Sequence, residues 1–365
     1  MIQKDPREYG FYMPGEWSDH EACWMAWPAR VHLWPDIDAT KKAYADVANA
    51  IAEFEPLKLI VKPSMMQDAK NYVSEQVQLI EMEIDDSWTR DSGPNFLVND
   101  SGSIAGSTWE FNAWGNKFEP YDQDALMGSR ILSLMNADEF KSEMIAEGGG
   151  ITVDGEGTVI TTESCFLNKN RNPSMTKREV EEELCRTLGA KKVIWIPGDV
   201  NETGTDGHID GIAAFIEPGR ILVEINSDKS DPHYQVCMDN FNVLKNVKDA
   251  KGRKLEIETI HEGDYSELVF DECRSYINSY LANGAVIVPG YNHERDEWAV
   301  ETYEEINSTK AEVCMGHLEF KGFEAHPGFI MDHGISIEKF DKFKNVYSGH
   351  FHTRSSNGNI RYLGN

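Results

Sequence analysis

Glu202-Thr203-Gly204-Thr205-Asp206-Gly207-His208-Ile209-Asp210-Gly211 is the stretch on which the reading of this chain turns. His208 stands two residues before Asp210. In an extended segment side chains alternate with a period of two, so both would fall on one face. Glycines on either side let backbone and ligand come close. An imidazole and a carboxylate aimed at one point can share proton transfer and the recognition of a cation. A solvated turn accounts for the same residues, because Gly and Asp are the commonest turn formers. Other stretches, upstream, decide between the two.

Outward from this segment the chain reads as strand and helix in alternation. Val193 to Ile196 and Ile221 to Ile225 flank it as apolar strands. Before them, Ser174 to Leu188 predicts a helix with a Thr176/Glu179 capping box and a stop at Gly189. Ile151 to Val153 and Val159 to Thr161 predict a hairpin around Asp154-Gly155-Glu156-Gly157. Further upstream the spacing predicts a helix over 39–54, a buried strand over 57–61, a helix over 65–74 and a strand over 78–84. Downstream come a helix from His233 to about Val247, a strand from Leu255 to Ile260, a hairpin over 276–289 turning at Asn283-Gly284, and a helix from Asp296 to Ile306. Recurring strand–helix–strand units without a linker predict a mixed α/β single domain built of similar units.

The 365 residues suffice for a full core, and 40% hydrophobic with 27% charged residues is a globular composition. No run of about 18 apolar residues is present, so no membrane span is expected. The N-terminus, Met1 to Pro6, is polar and unlike a secretory signal. Cys23, Cys165, Cys185, Cys237, Cys273 and Cys314 lie far apart without metal or redox spacing, which predicts reduced thiols in the cytoplasm. The net charge of -27, from 62 acidic against 35 basic residues, repels nucleic acid and attracts small cations.

Three stretches join the first. Asp85-Asp86-Ser87-Trp88-Thr89-Arg90-Asp91-Ser92-Gly93-Pro94 is dense in charge and sits at a predicted strand end. Trp109-Glu110-Phe111-Asn112-Ala113-Trp114-Gly115 alternates aromatic and small residues, and Glu147-Gly148-Gly149-Gly150 sets a carboxylate beside bare backbone. Taken together, Asp91, Glu147, His208 and Asp210 suit a planar guanidinium, which carboxylates hold by bidentate, charge-assisted bonds. Aromatic rings can hold the same cation by its face, with Trp88 and Trp114 as pocket walls or as packing. A histidine passes protons to leaving ammonia, and the guanidinium carbon needs a nucleophile, ideally a thiolate.

Residues from about Tyr9 to about Ile306 closely resemble agmatine deiminases of the guanidine-modifying, or pentein, superfamily. The resemblance rests on Tyr12-Met13-Pro14-Gly15-Glu16-Trp17, Ser87 to Pro94, Phe111 to Gly115, Glu147-Gly148-Gly149, Leu167-Asn168-Lys169-Asn170-Arg171-Asn172-Pro173, Gly207 to Asp210 and Ala282-Asn283-Gly284. It implies a five-bladed α/β propeller of ββαβ units around a central site. It implies hydrolysis of agmatine to N-carbamoylputrescine and ammonia, a step in polyamine synthesis, without a cofactor and in a homo-oligomer. By position, Asp91 and Asp210 would bind the guanidinium, Glu147 would orient histidine or substrate, and His208 would be the general acid/base.

The family's C-terminal Gly-Gly-Asn-Ile-His-Cys segment, which carries the nucleophilic cysteine, is absent. Gly358-Asn359-Ile360 is followed by Arg361-Tyr362, and Cys314 is the nearest substitute, among apolar neighbours that suggest a buried thiol. The expected division is therefore a deiminase-like part over 1–307, with its last blade incomplete or replaced, and a foreign tail over 308–365. The tail is similar to the C-terminal part of a phage-type DNA-repair exonuclease subunit, a calcineurin-like metallophosphoesterase, in which Gly-His-x-His supplies metal ligands. His350 and His352 match that pattern, but no upstream metal-binding segments accompany them. Working deiminase, silent guanidinium-binding module and metal phosphoesterase are thus the three readings.

Overall fold

The computed structural model describes residues 5–263, 275–291, 295–306, 313–316, 323–326, 329–330, 345–348, 355–357 and 360–362. The first sheet is wholly parallel: β1 (Cys23–Ala26), helix α1 (Ile37–Ile51), β2 (Leu57–Val61) and β3 (Gln78–Glu81), in the order β1-β2-β3. After it, one pattern recurs four times among the described residues, an antiparallel hairpin followed by a helix and a strand parallel to the hairpin's second strand. The first repeat holds β4 (Asn95–Val98), β5 (Ile104–Glu110), α2 (Met127–Met135) and β6 (Asp138–Ile145). The second holds β7 (Ile151–Val153), β8 (Thr158–Thr162), α3 (Lys177–Thr187) and β9 (Lys192–Ile196). The third holds β10 (Ala213–Glu217), β11 (Arg220–Ile225), α4 (Pro232–Asn246) and β12 (Glu256–His261). The fourth holds β13 (Tyr280–Ala282), β14 (Ala285–Ile287), α5 (Arg295–Ile306) and β15 (Val313–Gly316). This is the ββαβ unit that the resemblance implied. Parallel pairing demands a crossover, and the helices supply it.

Local chemistry explains the boundaries. Thr176 and Glu179 close the capping box of α3 from both sides, and Gly189 ends the segment at φ 65°, where a side chain would meet Phe11 O. Asp36 caps α1 through the N–H groups of Asp38 and Ala39, and Asp231 caps α4 ahead of Pro232 at the first turn. Asn283-Gly284 turns the β13–β14 hairpin, with Gly284 at φ 80°.

Each helix buries one stripe on its own sheet. Val180 and Leu184 of α3 pack with Ile151, Val153 and Val159, and Leu244 of α4 packs with Ile221 and Val223. Each such buried aliphatic side chain contributes about 1.5–3 kcal/mol. Neighbouring repeats share cores as well: Met127 and Ile131 of α2 meet Ala26 and Ile60 of the first sheet, and Ile216 and Leu222 meet Ile277 and Leu281. The fourth repeat comes back to the first sheet through Asn283. Its Oδ1 accepts from His20 N and its Nδ2 donates to His20 O, both at 2.8 Å, while its own N–H donates to Glu55 at 2.8 Å.

Two expectations are corrected. The segment around His208 is not extended: Asp206 and Gly207 lie at φ 67° and 83°, and Ile209–Gly211 forms a 3-10 turn. Left-handed backbone cannot continue a strand. In the helix expected over 65–74 only Met66–Ala69 is α-helical. The last repeat holds β13, β14, α5 and β15, and its fourth strand, β15, falls beyond residue 307, in the segment expected to be a tail. Farther on, β16 (Glu324–His326) and β17 (Phe329–Ile330) pair with each other. β18 (Asn345–Ser348), β19 (Ser355–Asn357) and β20 (Ile360–Tyr362) extend the last sheet in the order β13-β14-β15-β18-β20-β19. The edge of β15 is thereby paired, which removes the open hydrogen-bonding row that an edge strand presents. Among the described residues no helix is long and apolar enough to cross a membrane.

Candidate active site

Three connections between repeats bring the predicted residues together. Asp91 lies in the helical turn Thr89–Ser92 before β4, Glu147 ends the link from β6 to β7, and His208 and Asp210 lie between β9 and β10. Gly149 is where they meet. Its N–H donates to Asp91 Oδ1 at 2.8 Å. A Cβ added to it would stand 2.6 Å from Asp210 Oδ2 and His208 Nδ1, and 2.7 Å from Asp91 Oδ1. Two carboxylates and an imidazole therefore converge on one bare α-carbon. Glu147 stands at the other edge of the ring, with Oε2 3.6 Å from His208 Nε2, and Asp91 Oδ1 is 3.9 Å from Nδ1. These are ion-pair rather than hydrogen-bond distances. The buried Nε2 has no hydrogen-bond partner among the described residues.

The loop that carries His208 is held by its own polar groups. Glu202 accepts from the N–H groups of Thr205 at 3.0 Å and Gly207 at 2.9 Å. Gly207 has no room for a side chain, since a Cβ would lie 2.5 Å from Ser164 Oγ and 2.6 Å from Asp199 O. Asp206 accepts from Asn170 Nδ2 and Arg171 Nη1, each at 2.9 Å, and pairs with Lys117 at 2.8 Å. Burial opposes its ionisation, yet Lys117 and its other donors hold its carboxyl below the usual range. Arg171 also donates from Nε to Glu147 Oε1 at 2.7 Å, with both side chains fully buried. One guanidinium thus locks Glu147 to the His208 loop.

The same enclosure sets the charge states. Burial alone would push His208 down, but Asp91, Cys165 and Glu147 raise it well above the ordinary imidazole value. Asp210 is pushed up to about 6, first by burial and then by the nearby Asp91, although His208 opposes both. The centre therefore combines a histidine that holds its proton more firmly than usual with a carboxyl that gives its proton up less readily.

The two tryptophans differ in burial and partners. Trp114 is buried, donates from Nε1 to Asp91 Oδ2 at 3.0 Å, and stands edge-on to Phe111 at 5.2 Å. It aims the carboxylate. Ala113, Trp114, Gly115 and Asn116 all have positive φ, a strained run held by Asn112, which accepts from Gly115 N and donates to Asn170 O. Trp88 is 44% exposed and lies edge-on to Trp114 at 6.4 Å.

The whole arrangement has counterparts in known proteins. Residues 12–316 match the model of the Porphyromonas-type peptidyl-arginine deiminase family. The chain belongs to this family. A Legionella pneumophila protein named "Putative agmatine deiminase" is 43% identical over 293 residues, covering 79% of this chain and 84% of that one. The solved agmatine deiminase of Enterococcus faecalis superposes with a TM-score of 0.81 at 33% identity, covering 87% of this chain and 93% of that one. An agmatine deiminase of C. jejuni, solved with substrate bound, gives a TM-score of 0.74 at 27% identity over 84% of this chain and 90% of that one. The mixed α/β fold is thus the deiminase fold of the pentein superfamily.

Within this family member, sequence reasoning missed two residues of the centre. Arg171 stood in a quoted motif without a role, although a lone arginine among Asn residues is a signal for a buried carboxylate partner. Cys165 gave no signal. Its Sγ lies 3.9 Å from Glu147 Oε2, and it clusters with His208 and Glu147. The residue is fully buried, and burial pushes its thiol up despite the pull of His208. Cys314, the proposed substitute, lies in β15 in register with Val286 and Val346. His350 and His352 lie outside the described residues.

Proposed function

We propose that the protein binds the guanidinium of an agmatine-type substrate and hydrolyses it to a carbamoyl product and ammonia. The observation that carries this is the convergence of Asp91, His208 and Asp210 on Gly149 with Glu147 behind the imidazole. The membership of the deiminase family supports it. Asp91 and Asp210 grip the planar cation, and the exposed Trp88 lines its approach. As a thiolate adds to the guanidinium carbon, His208 gives a proton to the departing nitrogen, which leaves as ammonia. Water then adds to the thiouronium carbon, the thiol leaves, and one oxygen remains in the product. No cofactor enters this balance. The partner is a small guanidine rather than a nucleic acid or a membrane, the location is the cytoplasm, the pathway is polyamine synthesis, and the working form is a homo-oligomer.

A second reading, guanidinium binding without turnover, is favoured by one observation. Cys165, the described thiol beside His208, is enclosed. Calorimetric titration with agmatine, run beside an ammonia assay, separates the two. Binding with ammonia release supports hydrolysis, and loss of release in Cys314→Ser assigns the thiol. Binding alone supports the silent module. A folded protein that binds no agmatine sinks both, as does an Asp210→Asn variant that binds unchanged.

The pH dependence of binding follows from Asp210. Agmatine stays cationic throughout, because a guanidinium does not lose its proton in this range. Asp210 grips it only when ionised, so affinity is lost as pH falls through about 6 and is complete above it. Between pH 5 and 7 the gain is about tenfold. Affinity that is flat or falls over that interval contradicts the assignment of Asp210.

A further inference from the structure

A second cluster of ligating side chains lies apart from the active centre. His233 and Cys237 stand four residues apart on one face of α4, and Glu262 follows β12 directly. One ligand atom from each lies within 4.8 Å of the others. We propose that His233, Cys237 and Glu262 bind a divalent transition-metal ion of the zinc class, with Glu224 beside them to complete the coordination.

Four observations support the site. The first is geometry. Cys237 Sγ is 3.6 Å from His233 Nδ1. A tetrahedral ion with bonds of about 2.3 Å to sulfur and 2.0–2.1 Å to nitrogen sets these atoms about 3.6 Å apart. The second is the far side of the imidazole, where Asp199 Oδ2 lies 3.4 Å from Nε2. A carboxylate on the remote ring nitrogen is the usual partner of a metal-bound histidine, because it fixes the tautomer and turns the other nitrogen to the ion. The third is Glu224. It is 3% exposed, and its Oε2 has no hydrogen-bond partner among the described residues. Its strand β11 pairs with β12 in the register Glu224 to Ile260 and Ile225 to His261, which sets it beside the end that leads into Glu262. The fourth is donor chemistry, since thiolate, imidazole and carboxylate together suit zinc-like ions better than magnesium or calcium.

His233 Nδ1 lies 2.5 Å from Glu262 Oε2, a hydrogen-bond distance, so an ion held by both must part them by about 1 Å. Glu262 also accepts from Asn226, and Arg295 donates to the carbonyls of Glu262 and Gly263 at 2.9 and 3.0 Å. Asp199, Glu224 and Glu262 thus crowd one imidazole and one thiol, and a dication offsets that charge. Asp199 opens the connection that runs on to His208, so the ion would clamp α4 and β12 to the foot of the active-site loop.

Cobalt(II) added to chelator-stripped protein tests this directly. One equivalent per chain is expected to produce a thiolate-to-cobalt charge-transfer band. The band is expected to vanish in Cys237→Ser and to persist in Cys165→Ser, which removes the thiol of the other cluster. Glu262→Gln keeps the thiol and is expected to weaken cobalt binding at least tenfold. Asp199→Asn, which touches no metal, is expected to weaken it about 10–100-fold. Folded wild-type protein without the band overturns the site, as does a band that survives Cys237→Ser or disappears only with Cys165. Should Cys237→Ser fail to fold, unchanged binding in both Glu262→Gln and Asp199→Asn overturns it equally.

Discussion

Arg171→Met is expected to destabilise the protein by about 3–5 kcal/mol. Arg171 and Glu147 are both fully buried and joined at 2.7 Å, and Arg171 also bonds Asp206, Asn170 and the carbonyl of Thr205. Removing one side of a buried pair leaves the other charge uncompensated, which costs more than the pair itself contributes. The double variant Glu147→Leu with Arg171→Met is expected to regain most of that loss, because both charges then leave together. Its agmatine binding is expected to stay lost, since Glu147 no longer faces His208. Chemical denaturation of the wild type, both single variants and the double variant gives the coupling energy. A single-variant loss within about 0.5 kcal/mol, the usual scatter of surface substitutions, would show that the pair carries no stability. Arg171→Lys is not expected to rescue, because an ammonium cannot span Glu147 and Asp206 as the guanidinium fork does.

Gly149→Ala is expected to abolish agmatine binding while leaving the fold in place. The added methyl would lie 2.6–2.7 Å from Asp210, His208 and Asp91 at once, closer than van der Waals contact permits. Those groups must then part, and the paired grip on a planar cation depends on their convergence. Gly149 is not held at positive φ, so the effect is one of space and not of backbone strain. The surrounding hydrophobic clusters are untouched, so the melting temperature is expected to move far less than for Arg171→Met. Binding within threefold of wild type would show that the three groups have slack the structure does not suggest. Gly252→Ala serves as a contrast: it has open space around it but φ 84°, so strain without loss of binding is expected there.

Much of this was legible in the sequence, for reasons that differ by element. The strand over Leu57–Val61 and the capped helix α3 were read because an apolar run, a Thr–Glu box and a terminal glycine each act locally. The repeat of β4, β5, α2 and β6 carries a weaker local signal. β6 carries Asp138, Glu139, Lys141 and Glu143, poor strand formers, and its signal is the alternation that buries Phe140, Ser142 and Met144. For the His208 segment the sequence leaves strand and turn both open, and the structure takes the turn. Period-two spacing and a left-handed turn both bring His208 and Asp210 to one place, and only backbone angles separate them.

By itself the sequence determined the alternation of strands and helices, the membership of a deiminase family, and the acid, base and aromatic residues available to the site. These follow from short-range patterns and from motifs tens of residues apart that need only be in order. Tertiary structure alone decided that Asp91, His208 and Asp210 meet at Gly149, that Trp114 aims a carboxylate while Trp88 faces solvent, and that Arg171 locks Glu147. It alone enclosed Cys165 beside His208 and gathered His233, Cys237 and Glu262 near Asp199 and Glu224. The reason is physical. Distances between side chains on different repeats, and the burial that shifts their protonation, come from how sheets pack against one another, and no local pattern encodes that packing.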